Sequence, residues 1–551
     1  MITLLTLGLL STSQAAEDNW DFSLEGYYRF RGYSFHNLYN EQEEPGRYMT
    51  QRLRLQPQLN FENRAKFFMM ADVIDDAVWG DNQSLASTAL FADDPTLTHM
   101  DGVGRSGFHI KRAWFETNLA IGTLRAGRQE SHWGMGLLAN HGNGFDDAFG
   151  ENHVGATFDR ILFATKPLAV TKALFGFGSD IPLYMGYAFD RLVEDPLIQY
   201  YGYECEKGIT PDDEDYNADC YNPDYDIAGN GVTNLEHGYT DETRTDGSRR
   251  DGTNAWLMDN ADDVTEHVGL IIYRGQNVPM FGSVGDFTLG AYGIYRGQGE
   301  TGSDAYIWDV YTNFLYRRMY FESEIVNIRG QTSAIALPGA TNEGADSPLY
   351  KDVDIWGYSS RVGYKTSDLT VYLEKGFAGG DDSVSDANFT GRPLAQDYNV
   401  GLLIYDQVLA AATANTWGAS GEALWSDGGV YNSHYLNPII RFSPIENWEV
   451  IAGYVYVWPD KPDGSIIQCT QEDLDNPDLA CGSSPSDKAN ATENHIGWEA
   501  DLALKARLHQ HILFSVETGY AQTTDRLKLE NVGLNPAGKF YTLQTRMAYE
   551  F

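Results

Sequence analysis

Taken for polarity alone, the chain breaks into stretches in which apolar and polar residues alternate. Phe22, Leu24, Gly26, Tyr28 and Phe30 interleave with Ser23, Glu25, Tyr27, Arg29 and Arg31, and Leu53, Leu55, Pro57, Leu59 and Phe61 with Arg52, Arg54, Gln56, Gln58 and Asn60. Near the end, Ile496, Trp498, Ala500, Leu502, Leu504, Ala506 and Leu508 interleave with Gly497, Glu499, Asp501, Ala503, Lys505 and Arg507. A period of two sends successive side chains to opposite faces of a β-strand, so each stretch predicts a strand with one face for lipid and one for water. Tight links at Glu62-Asn63, Ala120-Ile121-Gly122, Thr366-Ser367-Asp368 and Leu508 to His511 alternate with long ones near 79–107, 132–155, 191–263, 331–350, 378–431 and 459–494. Short turns on one side and long loops on the other are the habit of a transmembrane β-barrel, the turns facing the periplasm. Roughly nineteen strand candidates result if Tyr398 to Tyr405 is counted, but single-chain bacterial barrels are even-numbered. That stretch breaks the up-down order and is assigned to a loop, folded inward. The expected fold is all-β, an antiparallel transmembrane barrel of eighteen strands, with sixteen as the alternative.

Composition agrees with this reading. The 551 residues include 13% aromatics, mean hydropathy is -0.39, and no run approaches the roughly 18 apolar residues of a membrane helix. A polar average rich in aromatics suits a barrel, in which only alternate residues meet lipid and aromatic girdles mark both interfaces. A large soluble β-protein would share that composition but not the alternation. Leu4 to Leu10 followed by Ser11-Thr12-Ser13-Gln14-Ala15-Ala16 predicts a signal peptide over 1–16, cleaved after Ala15 or Ala16. Because Met1-Ile2-Thr3 carries no Lys or Arg, the true start codon is expected upstream. Residues 17–551 then form one barrel domain, without a leading plug domain or helical arms.

The formal charge of -39, from 78 acidic and 39 basic residues, excludes nucleic acid as a partner. Much of the acid clusters at Asp212-Asp213-Glu214-Asp215, Asp381-Asp382 and Glu472-Asp473, read as solvated loops that could also bridge divalent cations at a lipopolysaccharide surface. No other cofactor is expected. Cys205 and Cys220, and Cys469 and Cys481, are close pairs in long polar segments. Four cysteines allow three connectivities. Proximity and an oxidising compartment favour two local disulfides that staple outer loops, and the lack of CxxC spacing argues against a metal site.

The last strand, Gly538 to Phe551, sets Tyr541, Leu543, Thr545, Met547, Tyr549 and Phe551 against Thr542, Gln544, Arg546, Ala548 and Glu550. It resembles the terminal strand by which outer-membrane barrels are recognised for assembly. The resemblance makes Tyr549 and Phe551 the assembly signal and the barrel-assembly machinery a partner, with the bacterial outer membrane as the location. Between Arg47 and Pro167 stand Gln51-Arg52-Leu53-Arg54-Leu55, Ala71-Asp72-Val73-Ile74-Asp75-Asp76 before Trp79-Gly80, Lys111-Arg112-Ala113-Trp114-Phe115-Glu116, Leu124-Arg125-Ala126-Gly127-Arg128-Gln129, Ser131-His132-Trp133-Gly134 and Phe158-Asp159-Arg160. These segments resemble a family of predicted outer-membrane barrels of unassigned function and, more distantly, the alginate-export porins. The second resemblance implies an arginine-lined lumen, partly closed by loops, that passes an anionic polysaccharide.

The residues offer a matching set at inward parity: Arg29, Arg31, Arg52, Arg54, Arg112, Arg125, Arg507 and Arg546, with Trp114 and Glu116 among them. Guanidinium groups present paired donors to carboxylates, and charged rings select ions in narrow pores. Inward Glu25, Glu116, Glu499, Asp501 and Glu550 offer the plainer reading that the arginines knit the wall. Trp114 could stack on a sugar ring or pack beneath an infolded loop. Arg128 and Arg160 have uncertain parity, because bulges near Gly127 and Phe158 would shift them. The Gly-rich stretch Ser131 to Phe149, with His132, Trp133, His141, Asn143, Asp146 and Asp147, is the candidate constriction loop. Ser131, His132 and Asp146 do not make a hydrolytic triad, since adjacent residues on a strand point oppositely, and no enzymatic activity is expected. A metal site from His132, His141 and the two aspartates is the minor alternative. The functional expectation is a passive porin-like channel for anionic or saccharide-type solutes, with polysaccharide export included. A non-conducting surface, adhesion or envelope-structural barrel is the alternative.

Overall fold

The computed structural model describes residues 20–38, 45–62, 64–79, 109–145, 147–192, 264–299, 302–332, 351–381, 387–413, 426–461, 495–524 and 538–551. The wall strands are β1 (Trp20–His36), β2 (Gly46–Phe61), β3 (Ala65–Val78), β4 (His109–Leu119), β5 (Gly122–Ser131), β6 (Ala156–Thr165), β7 (Leu183–Leu192), β8 (Thr265–Met280) and β9 (Ser283–Gln298). They continue as β10 (Ser303–Tyr316), β11 (Met319–Thr332), β12 (Lys351–Lys365), β13 (Leu369–Ala378), β14 (Ser433–Ile445), β15 (Trp448–Pro459), β16 (Gly497–Leu508), β17 (Ile512–Thr523) and β18 (Lys539–Glu550). Each pairs antiparallel with its chain neighbours, and β1 also pairs with β18 from Tyr27↔Glu550 to His36↔Tyr541, so the sheet closes as an eighteen-stranded barrel. Closure leaves no edge strand and satisfies the backbone of every wall strand laterally. Asn388–Phe389 adds a two-residue parallel ladder to β12, and one helix, α1 (Pro167–Phe175), sits in the β6–β7 connection.

The period-two pattern is realised in burial. Along β18 the polar Thr542, Gln544 and Arg546 are buried within the barrel, while Tyr541, Leu543, Met547 and Tyr549 stay about half exposed on the outside. Phe551 closes the seam: its N–H donates to Gly26 O (3.0 Å) and Gly26 N–H donates to its carbonyl (3.1 Å). Its ring lies over Gly26, where a Cβ would come 2.9 Å from the ring and 2.3 Å from Arg54 O, so the close approach requires glycine. Ile496 departs from the lipid face expected of it. It precedes β16, turns inward and is 1% exposed.

The interior carries a second structure. Leu137, Phe149, Leu394, Tyr398, Val400, Leu402, Leu403, Ile404, Tyr405, Val408 and Leu409, all from connections, form one apolar cluster with inward wall residues including Phe35, Ile328, Tyr372, Tyr435, Ile451, Val457 and Phe540. Burying one large aliphatic or aromatic side chain contributes about 1.5–3 kcal/mol, so these connections are held inside the barrel. The Tyr398–Tyr405 stretch is such an inward fold, ending in a π-helical turn over Ile404–Leu409. Asp381, read from sequence as a solvated loop acid, is buried, and its Oδ2 accepts the Thr390 N–H (3.1 Å). It sits where the infolded segment leaves β13 and needs an acceptor for a backbone donor shielded from water.

Candidate functional site

The connection from β5 to β6 crosses the lumen as a strap. At its start, Gly134 and Gly136 adopt left-handed backbone (φ 54° and 87°), which aims the N–H groups of Met135, Gly136 (3.1 Å) and Leu137 (3.3 Å) at the buried Glu324 carboxylate of β11. A Cβ on Gly134 would meet that carboxylate at 2.3 Å. Trp133 anchors the same turn on the far wall, its ring edge-on to Tyr292 (4.7 Å) and its Nε1–H donating to Asp309 (2.8 Å). Further along, the wall arginines take hold. Arg112 pairs with Glu130 and donates to His141 O. Arg54 is bidentate to Asp72 (2.7 and 2.9 Å) and donates to Gly142 O (2.7 Å) and His153 O (3.2 Å).

The strap returns through a latch at Glu151. Its carboxylate, fully shielded from solvent, meets Arg29 (2.6 Å), Arg31 (3.5 Å) and Arg546 (3.2 Å). Burial alone would raise that carboxyl, but the three guanidiniums overcome it and hold Glu151 well below the usual carboxylate range. Arg546 also pairs with Glu517 (2.8 Å), and the other oxygen of Glu517 accepts the Gly150 N–H (2.8 Å).

A second infolded segment, 387–413, braces the first. Asp397 accepts the N–H groups of Val154 (2.8 Å) and Gly155 (2.7 Å), Ala395 N–H donates to Leu137 O (2.7 Å), and Asn399 donates to Asp147 (2.9 Å). The wall holds it by the same device as the strap: Glu499 of β16 accepts from Leu402 (2.6 Å), Leu403 (2.7 Å) and Ile404 (2.7 Å). Tyr398 and Tyr435 both donate to Glu374 (2.8 and 2.6 Å), which Arg361 also engages (2.7 Å).

Arg29, Arg31, Arg52, Arg54, Arg112 and Arg546 therefore all lie buried on the inward face, held by carboxylates, side-chain amides or strap carbonyls. Arg52 pairs with Asp75 (2.7 Å). Arg160 is also inward, bidentate to Asp190 (2.7 and 2.6 Å). Arg128 points outward, exposed and paired with Asp159 (2.9 Å). Trp114 is buried, stacked on Phe68 (5.2 Å) and under the Arg125 guanidinium (4.1 Å), which is a packing arrangement in which its face is already covered. His132 and His141 stack at 4.5 Å, and burial together with His141 pulls the His132 imidazole down to about 4. Burial pushes the Asp147 carboxyl up. Among the described residues no group of three or more His, Cys, Asp and Glu is placed to hold a metal ion. Asp146, the four cysteines and the signal segment lie outside the described residues.

The lumen is open at its short-turn end. Below the strap, at the short-turn end, a cavity of about 490 Å³ is lined by Phe145, Arg441, Glu449, Lys505, Arg507 and Trp448, among others. The pairs Arg125–Glu116 (29% and 22% exposed), Arg441–Glu449 (27% and 25%) and Arg507–Glu550 (39% and 32%) face the interior without being sealed from it. At the long-loop end Arg296 pairs with Glu266 on the β8–β9 wall. Opposite stands half-buried Arg392 of the infolded segment, which makes no ion pair among the described residues. Burial and the nearby Arg296 charge pull it down to about 10.

Sequence reasoning missed Glu151, Glu324 and Arg392, and it placed Glu499 inward as a partner for the wall arginines, whereas it accepts from the backbone of the infolded segment. Glu324 was legible, since Tyr320, Glu322 and Glu324 share inward parity on β11. Glu151 and Arg392 lie in connections and carry no periodic signal.

No protein-family model and no curated protein matches the chain. The solved structures to which it is similar include three proteins of Pseudomonas aeruginosa. These are OccK11 (OpdR), 9% identical over 96% of each chain with TM-score 0.43, OccK5 (OpdH), 9% identical over 96% of this chain and 98% of that one with TM-score 0.43, and the outer membrane protein OpdK, 9% identical over 96% and 98% with TM-score 0.42. A likeness this distant says nothing about what crosses this barrel.

Proposed function

We propose that this protein is a passive diffusion channel of the bacterial outer membrane, admitting small anionic or saccharide-like solutes past a strap-narrowed lumen. The observation that carries the reading is the division of the interior. A buried apolar core fills the sector along β11–β18 and β1, while charged pairs at the short-turn end stay partly exposed and Arg392, near the Arg296–Glu266 pair, makes no ion pair of its own among the described residues. Charges lining a confined pore select ions, and a guanidinium beside Arg296 with no ion pair among the described residues favours anions. Passage of an alginate-like polymer would require the 387–413 segment to leave the lumen, so small solutes fit better than a polysaccharide. The half-exposed outer belt meets lipid and lipopolysaccharide, and the barrel-assembly machinery engages β18 through Tyr549 and Phe551.

A second reading, a non-conducting surface or envelope barrel, is favoured by the extent of the apolar core inside the lumen. Planar-bilayer recording separates the two. The channel reading expects a small steady conductance that prefers anions, with Arg392→Glu moving the reversal potential toward cations. A barrel silent at all salts and voltages sinks the channel and leaves the second reading.

A further inference from the structure

We propose that α1 and the residues that follow it lie in the inner leaflet of the membrane, as an interfacial anchor beside the barrel. This rests on the outer-membrane placement above. Among the described connections at the short-turn end, β8–β9, β10–β11 and β14–β15 turn within two residues. The β6–β7 connection instead takes residues 166–182 and builds Pro167–Phe175 into a helix. The stretch Pro167-Leu168-Ala169-Val170-Thr171-Lys172-Ala173-Leu174-Phe175 is apolar nearly all round, and such a helix belongs in a protein core or in lipid. The barrel supplies no core, since none of its residues is buried. Leu174 (58%), Phe175 (67%), Phe177 (67%) and Ile181 (50%) are as exposed as the outward belt of the adjoining strands, where Ile161 is 57%, Tyr187 53% and Met185 43% exposed.

The polar groups of the segment are already arranged for such a place. Thr171 donates to Leu168 O (3.0 Å), and Gly176, in left-handed backbone, donates to Lys172 O (3.0 Å), closing the helix end. Lys172 pairs with Asp180 and Lys166 sits over the Tyr184 ring (4.8 Å). Backbone groups near hydrocarbon must be satisfied internally, and Lys side chains at a helix end reach the headgroups. The β6–β7 strands carry the lipid belt straight into this segment, so the occupant of the apolar surface is phospholipid.

Phe175→p-benzoylphenylalanine in the full-length protein in cells, irradiated and analysed by mass spectrometry, tests this. Ile161→p-benzoylphenylalanine on the belt is the positive control and Asn447→p-benzoylphenylalanine, on another turn, the negative one. The expected result is a mass shift of one phospholipid at 175 and at 161 but not at 447. Leu174→p-benzoylphenylalanine repeats the measurement should the first variant fail to assemble. A lipid adduct at 161 with none at 174 or 175, or a protein adduct there, overturns the anchor and leaves the barrel reading intact. No adduct at 161 would instead indict the membrane placement.

Discussion

Replacing Glu151 by Gln removes the charge on which three buried guanidiniums converge. Breaking a buried ion pair by deleting one partner costs about 3–5 kcal/mol, because the remaining charge is left uncompensated. Here the low end applies, since Arg29 keeps Thr50 (3.0 Å), Arg31 keeps Gln544 (2.8 Å) and Arg546 keeps Glu517 (2.8 Å). The loss falls on the strap, because the wall ladders on either side of these arginines do not depend on Glu151. About 3 kcal/mol is roughly a hundredfold change in a local opening equilibrium. Hydrogen–deuterium exchange of peptides covering 140–156 reads this directly, through the Gly144–Asn152 bridge (3.0 and 3.1 Å), the Gly150 amide and the Ala156 amide bonded to Asn140 O (2.8 Å). Exchange in the β16–β17 ladder should not change. A rise at 140–156 of less than about threefold would refute the latch.

The pH dependence follows from the same groups. Glu151 is held below its usual value of 4.5, so its stabilisation is present above that pH and is lost as pH falls through the lower folded value. His132 is depressed from 6.5 to about 4, so the strap binds fewer protons than the released chain and loosens as pH drops across that window. His132→Gln should remove the loosening between these values and leave only the more acidic component, read by strap exchange corrected for intrinsic rate. Gly290→Val should displace Trp133, whose ring carbons would lie 2.9 and 3.1 Å from a new Cβ. The cost of about 1–3 kcal/mol should appear as faster exchange over 133–137. Arg128→Ala, by contrast, removes an exposed outward pair and should change heat-modifiability on gels by nothing measurable, such pairs being worth about 0–1 kcal/mol.

The wall was legible because a strand with lipid on one face and protein on the other must alternate, and Phe22 to Arg31 or Tyr541 to Glu550 obey that rule residue by residue. The strand number followed once Tyr398–Tyr405 was set aside for breaking the up-down order. The interior was legible only in part. Parity places Arg54 and Arg546 inside, but what they hold is decided by Gly142, Gly150 and Glu151, which lie in an aperiodic connection and approach from across the barrel. Asp381 misled for the same reason. An acidic residue beside Asp382 in a long connection has the composition of a solvated loop, and only the infolding of that segment makes it a buried acceptor.

Infolded connections change what inward charge means. Each brings backbone N–H and C=O groups into a region where no ladder partner waits, and buried groups of this kind must be hydrogen-bonded. Carboxylates accept from the N–H groups, as Glu324, Glu499 and Glu517 do, and guanidiniums donate to the carbonyls, as Arg54, Arg112 and Arg546 do. A barrel that folds its loops inward therefore needs a charged wall whatever its solute. Counting inward arginines overstates anion preference, and reversing Arg54 would release the strap before it altered selectivity. The group that bears on solute choice is one that holds no backbone by its side chain and has no carboxylate partner. Among the described residues Arg392, near the Arg296–Glu266 pair, meets both conditions, and any selectivity this barrel has should therefore follow the charge at position 392.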